Sequence, residues 1–450
     1  MHFHRHFHEN PPASVRKLLK RLGTVDHKTA VWNTFADSDL TGVNDDDCAI
    51  LPRILPASYL SEIRRTVKEI TTFAMRLLSL PENEIRAIVP HGPIRDFLID
   101  ELEILRFRSG RITGSFRFDM AVVGEPKRGN PPKLLETNEI GFDGLARSSY
   151  IQKSILSLVP ELRKKVIALD TAKAEVRNML RLGRNISRIQ YDTYNWDEEY
   201  LLKTATAMGV SIELISPIQF GYEIDDDCPL LQKKKVSVSN RRVRIGGDGW
   251  PDAIQLSFAF ELEDYKRGRR LYRDLVRSKT PQYGPFLTGL VAAKMILVLL
   301  NDKALRKKLL GSSRTLENAI LPAYPIEECF EETSRNANNS VIKHTDGFGG
   351  QQVFVGSEII RQLHKIKKHS RSEWVSQERT YLNTITVNGI LSRPKRVISD
   401  LGVFVQYDWS SNSFKNFEIG GFITRATNRS LKVNVSGGGI QVPVMFLRGQ

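Results

Sequence analysis

Apolar residues recur at helical spacing along Tyr59-Leu60-Ser61-Glu62-Ile63-Arg64-Arg65-Thr66-Val67-Lys68-Glu69-Ile70, with Ser58 ahead of them as an N-cap. They predict a helix inside a helix-rich first region, residues 1–110. From Arg111 the period falls to two. Ser115 to Val123 alternates, Gly129-Asn130-Pro131-Pro132 turns, and Lys133 to Asn138 resumes, which predicts a β-hairpin with a long loop. A strand at Ile186 to Tyr191, a helix at Trp196 to Met208 and a strand at Val210 to Ile215 make a βαβ-like unit, as in a small α/β domain. A helix is expected from Pro285 through Leu300, and strands and glycine turns beyond Ser340. The pattern is α+β, divided here into an accessory region 1–110, a hairpin and small α/β domain 111–284, and a lobe 285–450.

Composition narrows the class. The 450 residues exceed one ordinary core, and 41% are hydrophobic, enough to fold. Lysine and arginine number 66 against 51 acidic residues, a net charge of +15, which attracts anionic partners such as nucleotides, acidic peptides, carrier proteins or nucleic acid. The basic, turn-rich stretch Lys233 to Trp250 reads as a solvated hairpin, because its charges are not interleaved with aromatics. Cys48, Cys228 and Cys329 lie far apart, which supports neither a disulfide framework nor a metal knuckle and favours a reducing, cytoplasmic setting. The longest apolar run, Leu287 to Leu300, is short and carries Lys294, so no membrane span is expected. His2, His4, His6 and His8 alternate at a chain end and read as an untethered terminus rather than a metal site.

Two polar sets carry the chemistry. Residues two apart on a strand face the same way, so Arg117 projects with Asp119, and Glu136 with Asn138 on the neighbouring strand. Asp119, Glu136 and Asn138 offer the hard oxygens that Mg²⁺ prefers, and Arg117 could stabilise a transferred phosphoryl group. Downstream, Lys343 at a strand end precedes Thr345-Asp346-Gly347-Phe348-Gly349-Gly350-Gln351, whose glycines let backbone amides approach a phosphate. The spacing matches neither a P-loop nor a dinucleotide fingerprint. Trp374-Val375-Ser376-Gln377-Glu378 reads as a strand whose polar end could meet an adenine edge. Gly420-Gly421-Phe422-Ile423-Thr424-Arg425 adds an arginine, and Gly437-Gly438-Gly439 reads equally as a lid or a surface turn.

With these residues in view, the chain resembles the circularly permuted ATP-grasp ligases, chiefly the glutathionylspermidine synthetase type and more distantly eukaryotic glutathione synthetase. The likeness covers about 115–155 and 285–440. An Arg-x-Asp strand precedes a Glu-x-Asn strand in that family, as in Arg117-Phe118-Asp119 and Glu136-Thr137-Asn138 here. The resemblance implies Asp119, Glu136 and Asn138 as Mg²⁺ ligands, Arg117 as a γ-phosphate contact, and the α/β unit as a substrate domain. It implies ATP contacts from Lys294, from Lys343 with Gly347, Gly349, Gly350 and Gln351, and from Gln377 and Glu378 beside the adenine. Ile140-Gly141-Phe142-Asp143-Gly144-Leu145 departs from the usual continuation, which puts the family's thiol-peptide substrate in doubt, and no amidase region precedes the motifs. The implied activity is an ADP-forming carboxylate–amine ligase using ATP and Mg²⁺, with Arg425 on the acyl phosphate or carboxylate. Competing expectations are a basic nucleic-acid-binding or scaffold protein on the same fold, and a phosphotransferase.

Overall fold

The computed structural model describes residues 7–22, 49–89, 111–139, 144–189, 196–220, 230–247, 249–256, 270–271, 273–285, 289–292, 294–345, 352–387, 395–428, 433 and 439–448. Its strands run, in chain order, β1 Arg53–Pro56, β2 Arg111–Ala121, β3 Lys133–Glu139, β4 Val166–Ile167, β5 Asn185–Ile189, β6 Ser211–Pro217, β7 Leu231–Lys234, β8 Val236–Ser239, β9 Arg242–Ile245 and β10 Ala253–Leu256. They continue with β11 Gln282–Tyr283, β12 Ala323–Pro325, β13 Ser340–His344, β14 Val353–Val355, β15 Trp374–Glu378, β16 Thr384–Val387, β17 Lys395–Ser399, β18 Leu401–Ser410, β19 Ser413–Thr427 and β20 Ile440–Leu447.

One 14-stranded sheet organises the body, in the order β1-β20-β19-β18-β2-β11-β10-β5-β6-β7, with β3, β4, β16 and β17 joined to it off that path. It forks at β2. Along one edge β2 pairs with β18 from Arg111 to Met120; along the other, Thr113 meets parallel β11 while Phe116 to Ala121 meet antiparallel β3. The fork separates a parallel half, β11-β10-β5-β6-β7, from an antiparallel half. The expected hairpin and βαβ unit are both present, the latter as β5, the helix Trp196–Ala207 and β6 in parallel register.

Alternation on β2 divides its faces. Phe116 and Phe118 are buried in the main core, where Phe116 stacks on Tyr407 with ring centroids 4.9 Å apart, while Arg117 and Asp119 point the other way. The helix Ala57–Leu78 supplies the same core with Tyr59, Ile63, Val67, Ile70, Phe73 and Leu77, one face at helical spacing. It is longer than the sequence predicts, and its N-cap is Pro56 rather than Ser58, because strand β1 runs directly into it. The helix expected through Leu300 is broken: Gly289–Ala292 and Ile296–Asn301 are separate, and between them the Lys294 backbone N–H donates to the Thr345 carbonyl at 3.1 Å. That tertiary bond turns the chain where local propensity would have continued the helix.

A second, four-stranded antiparallel sheet, β12-β15-β13-β14, has its own small core of Ile326, Ile342, Ile359, Leu363 and Trp374. Gly420 and Gly421 lie inside β19 and are needed for close packing, not mobility: a Cβ on Gly421 would sit 1.8 Å from Thr171 Oγ1. Among the described residues no helix is long and apolar enough to cross a membrane.

The described parts of the first 110 residues, 7–22 and 49–89, are joined to the sheet. Strand β1 pairs in parallel with β20, and Glu9 accepts both Nε and NH2 of Arg53, at 2.8 and 2.6 Å, with both side chains buried. Arg53 NH1 also donates to the Asp400 carbonyl at 2.6 Å, and Asn383 Nδ2 donates to Glu9 at 2.8 Å. A buried charge stripped of its partner costs about 3–5 kcal/mol. Glu9→Ala is therefore expected to lower unfolding free energy by roughly that amount, measured by urea denaturation. The paired change Glu9→Leu with Arg53→Met should recover most of the loss.

Candidate functional site

The fork in the sheet is where the first polar set meets. Asp119 on β2 faces Glu136 on β3, and Arg117 faces Asn138, so the four polar positions share one face as the period-two reading requires. Asp119 is fully buried. Arg117 Nε donates to its Oδ1 at 3.0 Å, Asn138 Nδ2 donates to Oδ2 at 2.9 Å, and Arg425 NH2 reaches Oδ2 at 2.8 Å from β19. Burial alone would raise the Asp119 pKa, but the flanking Arg117 and Arg425 guanidiniums outweigh it and hold the carboxyl well below the usual range.

Arg425 is itself clamped. Asp400 accepts its backbone N–H at 2.9 Å and its Nε at 2.8 Å, and also pairs with its NH2. Burial disfavours the charged guanidinium, yet Asp119, Asp400 and Glu136 reverse that and raise its pKa. Asp400 shifts upward, chiefly through burial and with help from the nearby Asp119 charge, while Arg425 opposes the shift. Asp400 was not singled out from sequence. It is one acid just past a strand, without a paired neighbour at strand spacing, and only the β17 to β19 pairing brings it to Arg425.

The four-stranded sheet closes over this set. Lys343 on β13 donates Nζ to the Gln377 Oε1 and to the Leu135 carbonyl, each at 2.8 Å, and Gln377 Nε2 donates to the Leu134 carbonyl at 3.2 Å. Two of these hydrogen bonds tie β13 and β15 to β3, and the third joins the two side chains that make them. Burial lowers the Lys343 pKa to about 8; Lys294 and Arg425 push the same way, whereas Glu136 and Asp119 oppose them. Lys294 is buried and lies near enough to Lys343 to act on it.

Between the two sheets lies an open cleft of about 140 Å³. One wall carries Val341, Lys343, Val353, Val355, Gln377 and Glu378; the other carries Asp119, Glu136, Ile398, Asp400 and Arg425. Apolar strips and charged ends therefore face each other. Gly347, Gly349, Gly350 and Gln351 lie outside the described residues, between paired strands β13 and β14. Ile140 to Asp143, Gly437, Gly438, Cys48, Cys228, His2, His4 and His6 are also outside them. His8 bonds Thr384 through Nδ1 at 3.1 Å.

The donor set fits a hard cation. Glu136 is half-buried, lines the cleft and lies within hydrogen-bond reach of Asp119, and like-charged carboxylates so close favour a positive charge between them. Among the described residues no group of three or more His, Cys, Asp or Glu side chains is gathered for a metal. A cation here would thus rest on two carboxylates, the Asn138 amide oxygen and oxygens from a ligand or water.

No protein-family model and no curated protein sequence matches the chain. An ATP-grasp ligase, PsnB, solved with a minimal precursor, aligns over 53% of this chain and 89% of its own at 12% identity, with a TM-score of 0.30, too low to carry an argument. A glutathione synthetase-like effector from Globodera pallida, solved in its apo form, superposes over 97% of this chain and 98% of its own with a TM-score of 0.66 at 11% identity. The chain thus has a glutathione synthetase-like fold; the circular permutation that the resemblance implies is not shown by these neighbours.

Proposed function

We propose that this protein is an ATP-dependent carboxylate–amine ligase that works through an acyl phosphate and releases ADP and phosphate. The observation that carries the reading is the meeting of Lys343 and Gln377 on one wall of the cleft with Glu136, Asp119 and Arg425 on the other. An apolar slot beside two lysines suits a nucleotide whose base lies against Val341, Val355 and Ile398 and whose phosphates run toward Lys343 and Lys294. In this reading Glu136, Asp119 and Asn138 hold Mg²⁺, which when bound screens the phosphate charge. Arg117 and Arg425, fixed by Asp119 and Asp400, present guanidiniums where charge develops on the transferred group. The glycine loop after Lys343 covers the phosphates, and the parallel half of the sheet with its helices binds the carboxylate partner.

One observation favours a second reading. The Asp119 carboxylate is already satisfied by two guanidiniums and an amide, so the site is stable without a cation and suits a nucleotide-binding fold that does not turn over. Incubation with ATP, Mg²⁺ and pools of carboxylates and amines separates the two. The ligase gives ADP, phosphate and a new amide mass in step. Nucleotide-dependent stabilisation with no ADP supports the second reading. AMP with pyrophosphate rejects an acyl phosphate, and phosphate transfer that needs no amine points to a phosphotransferase.

Glu136→Gln removes a cleft carboxylate while leaving the Asp119 ion pairs in place, so turnover should fall by about 100-fold or more with the melting temperature unchanged. Retained turnover in that variant would reject the metal assignment. The Lys343 pKa gives a pH signature. Below about 8 its ammonium is charged and available to phosphate; as pH rises through that value the free protein loses the charge, and ATP affinity should fall. Lys343→Arg should flatten the profile between pH 7 and 9, as read by nucleotide titration.

A further inference from the structure

The hairpin β8–β9 stands apart from both large sheets as a two-stranded ribbon. Its register divides it into two unlike faces. Val236 opposes Ile245 and Val238 opposes Val243, and these apolar side chains turn toward the main core. Ser237 opposes Arg244 and Ser239 opposes Arg242, so the outer face carries hydroxyls and guanidiniums only. The turn between the strands holds Asn240 and Arg241 at φ 49° and 61°, a conformation that glycine adopts at least cost; here an exposed arginine occupies it.

Beyond β9 the chain folds back through an Ile245 to Gly249 bridge and sets Trp250 against the outer face. The Arg242 and Arg244 guanidiniums lie 5.5 and 5.6 Å from the Trp250 ring centroid, and the ring remains 40% exposed. From Leu230 to Trp250 the sequence has six lysines and arginines and one acid, Asp248. Lys233, Lys235, Arg241 and Arg242 are exposed, and exposed Lys279 adjoins them through a bond from its backbone N–H to the Arg241 carbonyl. Glu213 is paired with Lys234, so it does not neutralise the outer face.

We propose that this outer face is a binding surface for single-stranded nucleic acid. The exposed Arg242 guanidinium over the indole keeps its N–H edge available to phosphate, and an exposed aromatic amid cations is the feature that accepts an unpaired base. A solvated charge run needs no tryptophan folded back against it. Duplex is the poorer fit, because its bases are not free to stack. The surface lies outside the nucleotide cleft and its occupancy is independent of the ligase reading.

Fluorescence anisotropy with labelled 20-nucleotide single-stranded RNA and DNA, a blunt duplex, and co-sedimentation with phosphatidylserine vesicles would test this on the full chain. Both single strands should bind more tightly than duplex, and comparison of the two arms separates an RNA reader from a DNA reader. With about four phosphate contacts the affinity should fall roughly 50-fold between 50 and 200 mM salt. Replacing Arg241→Gln and Arg242→Gln together should lessen the logarithmic salt slope by about 1.4, whereas Arg241→Lys with Arg242→Lys should preserve it. Trp250→Ala should weaken binding about tenfold through lost stacking. Circular dichroism melting checks that each variant is folded. No binding at 50 mM salt, equal binding by the glutamine and wild-type proteins, or capture by anionic vesicles without capture by oligonucleotide overturns the proposal.

Discussion

A carboxylate with no solvent contact cannot remain ionised alone, and Asp119 is such a group. Its charge is tenable only because Arg117 and Arg425 reach it, and Arg425 in turn requires Asp400. These residues come from β2, β19 and the end of β17, about 300 residues apart in the chain. The array thus dictates which strands must adjoin. Its influence extends further: the Asp400 carbonyl accepts from Arg53, whose charge is met by Glu9, so the first and last parts of the sequence are held by one succession of alternating charges. Replacing a member strips a buried neighbour of one of its charge partners, which is a stronger constraint than the pairwise attraction itself.

The fork in the sheet makes this arrangement geometrically possible. A strand inside a sheet has only two edges, and β2 uses one of them for two partners: parallel β11 early, antiparallel β3 late. The switch comes immediately before Arg117 and Asp119. The polar face of the β2–β3 hairpin is therefore presented at the boundary between the parallel and antiparallel halves, where the four-stranded sheet can dock on it through Lys343 and Gln377. A cleft results because the docking bonds fall along one strand, β3, leaving the facing apolar surfaces apart.

Local period was the readable part of this design. The hairpin register, the β5 to β6 unit and the strand carrying Lys343 follow from alternation or helical spacing, and Arg117, Asp119, Glu136 and Asn138 share a face for that reason alone. What period does not encode was not readable. The break at Lys294 comes from one backbone bond to Thr345, the four-residue strand β1 is too short to show alternation, and Asp400 has significance only through β19. Trp250 likewise gains its two arginine neighbours from a chain reversal that leaves no mark in the spacing.

Charge balance links the array to what the cleft can hold. Arg117, Arg425, Lys294 and Lys343 bring four positive charges, and Asp119, Glu136 and Asp400 three negative ones, so the set carries 4 − 3 = +1 with Lys343 protonated. That small excess attracts an anion but does not neutralise a nucleoside triphosphate, which carries roughly four negative charges. One divalent cation would leave the filled set at about −1, and a second would return it to +1. The array by itself carries that value with the buried Asp119 and Asp400 carboxylates paired. If the cleft takes a triphosphate, as proposed, two divalent cations would be the complement that changes the electrostatics of the array least. With one cation the surplus negative charge falls beside Lys343, opposing the burial that lowers its pKa and holding its ammonium charged.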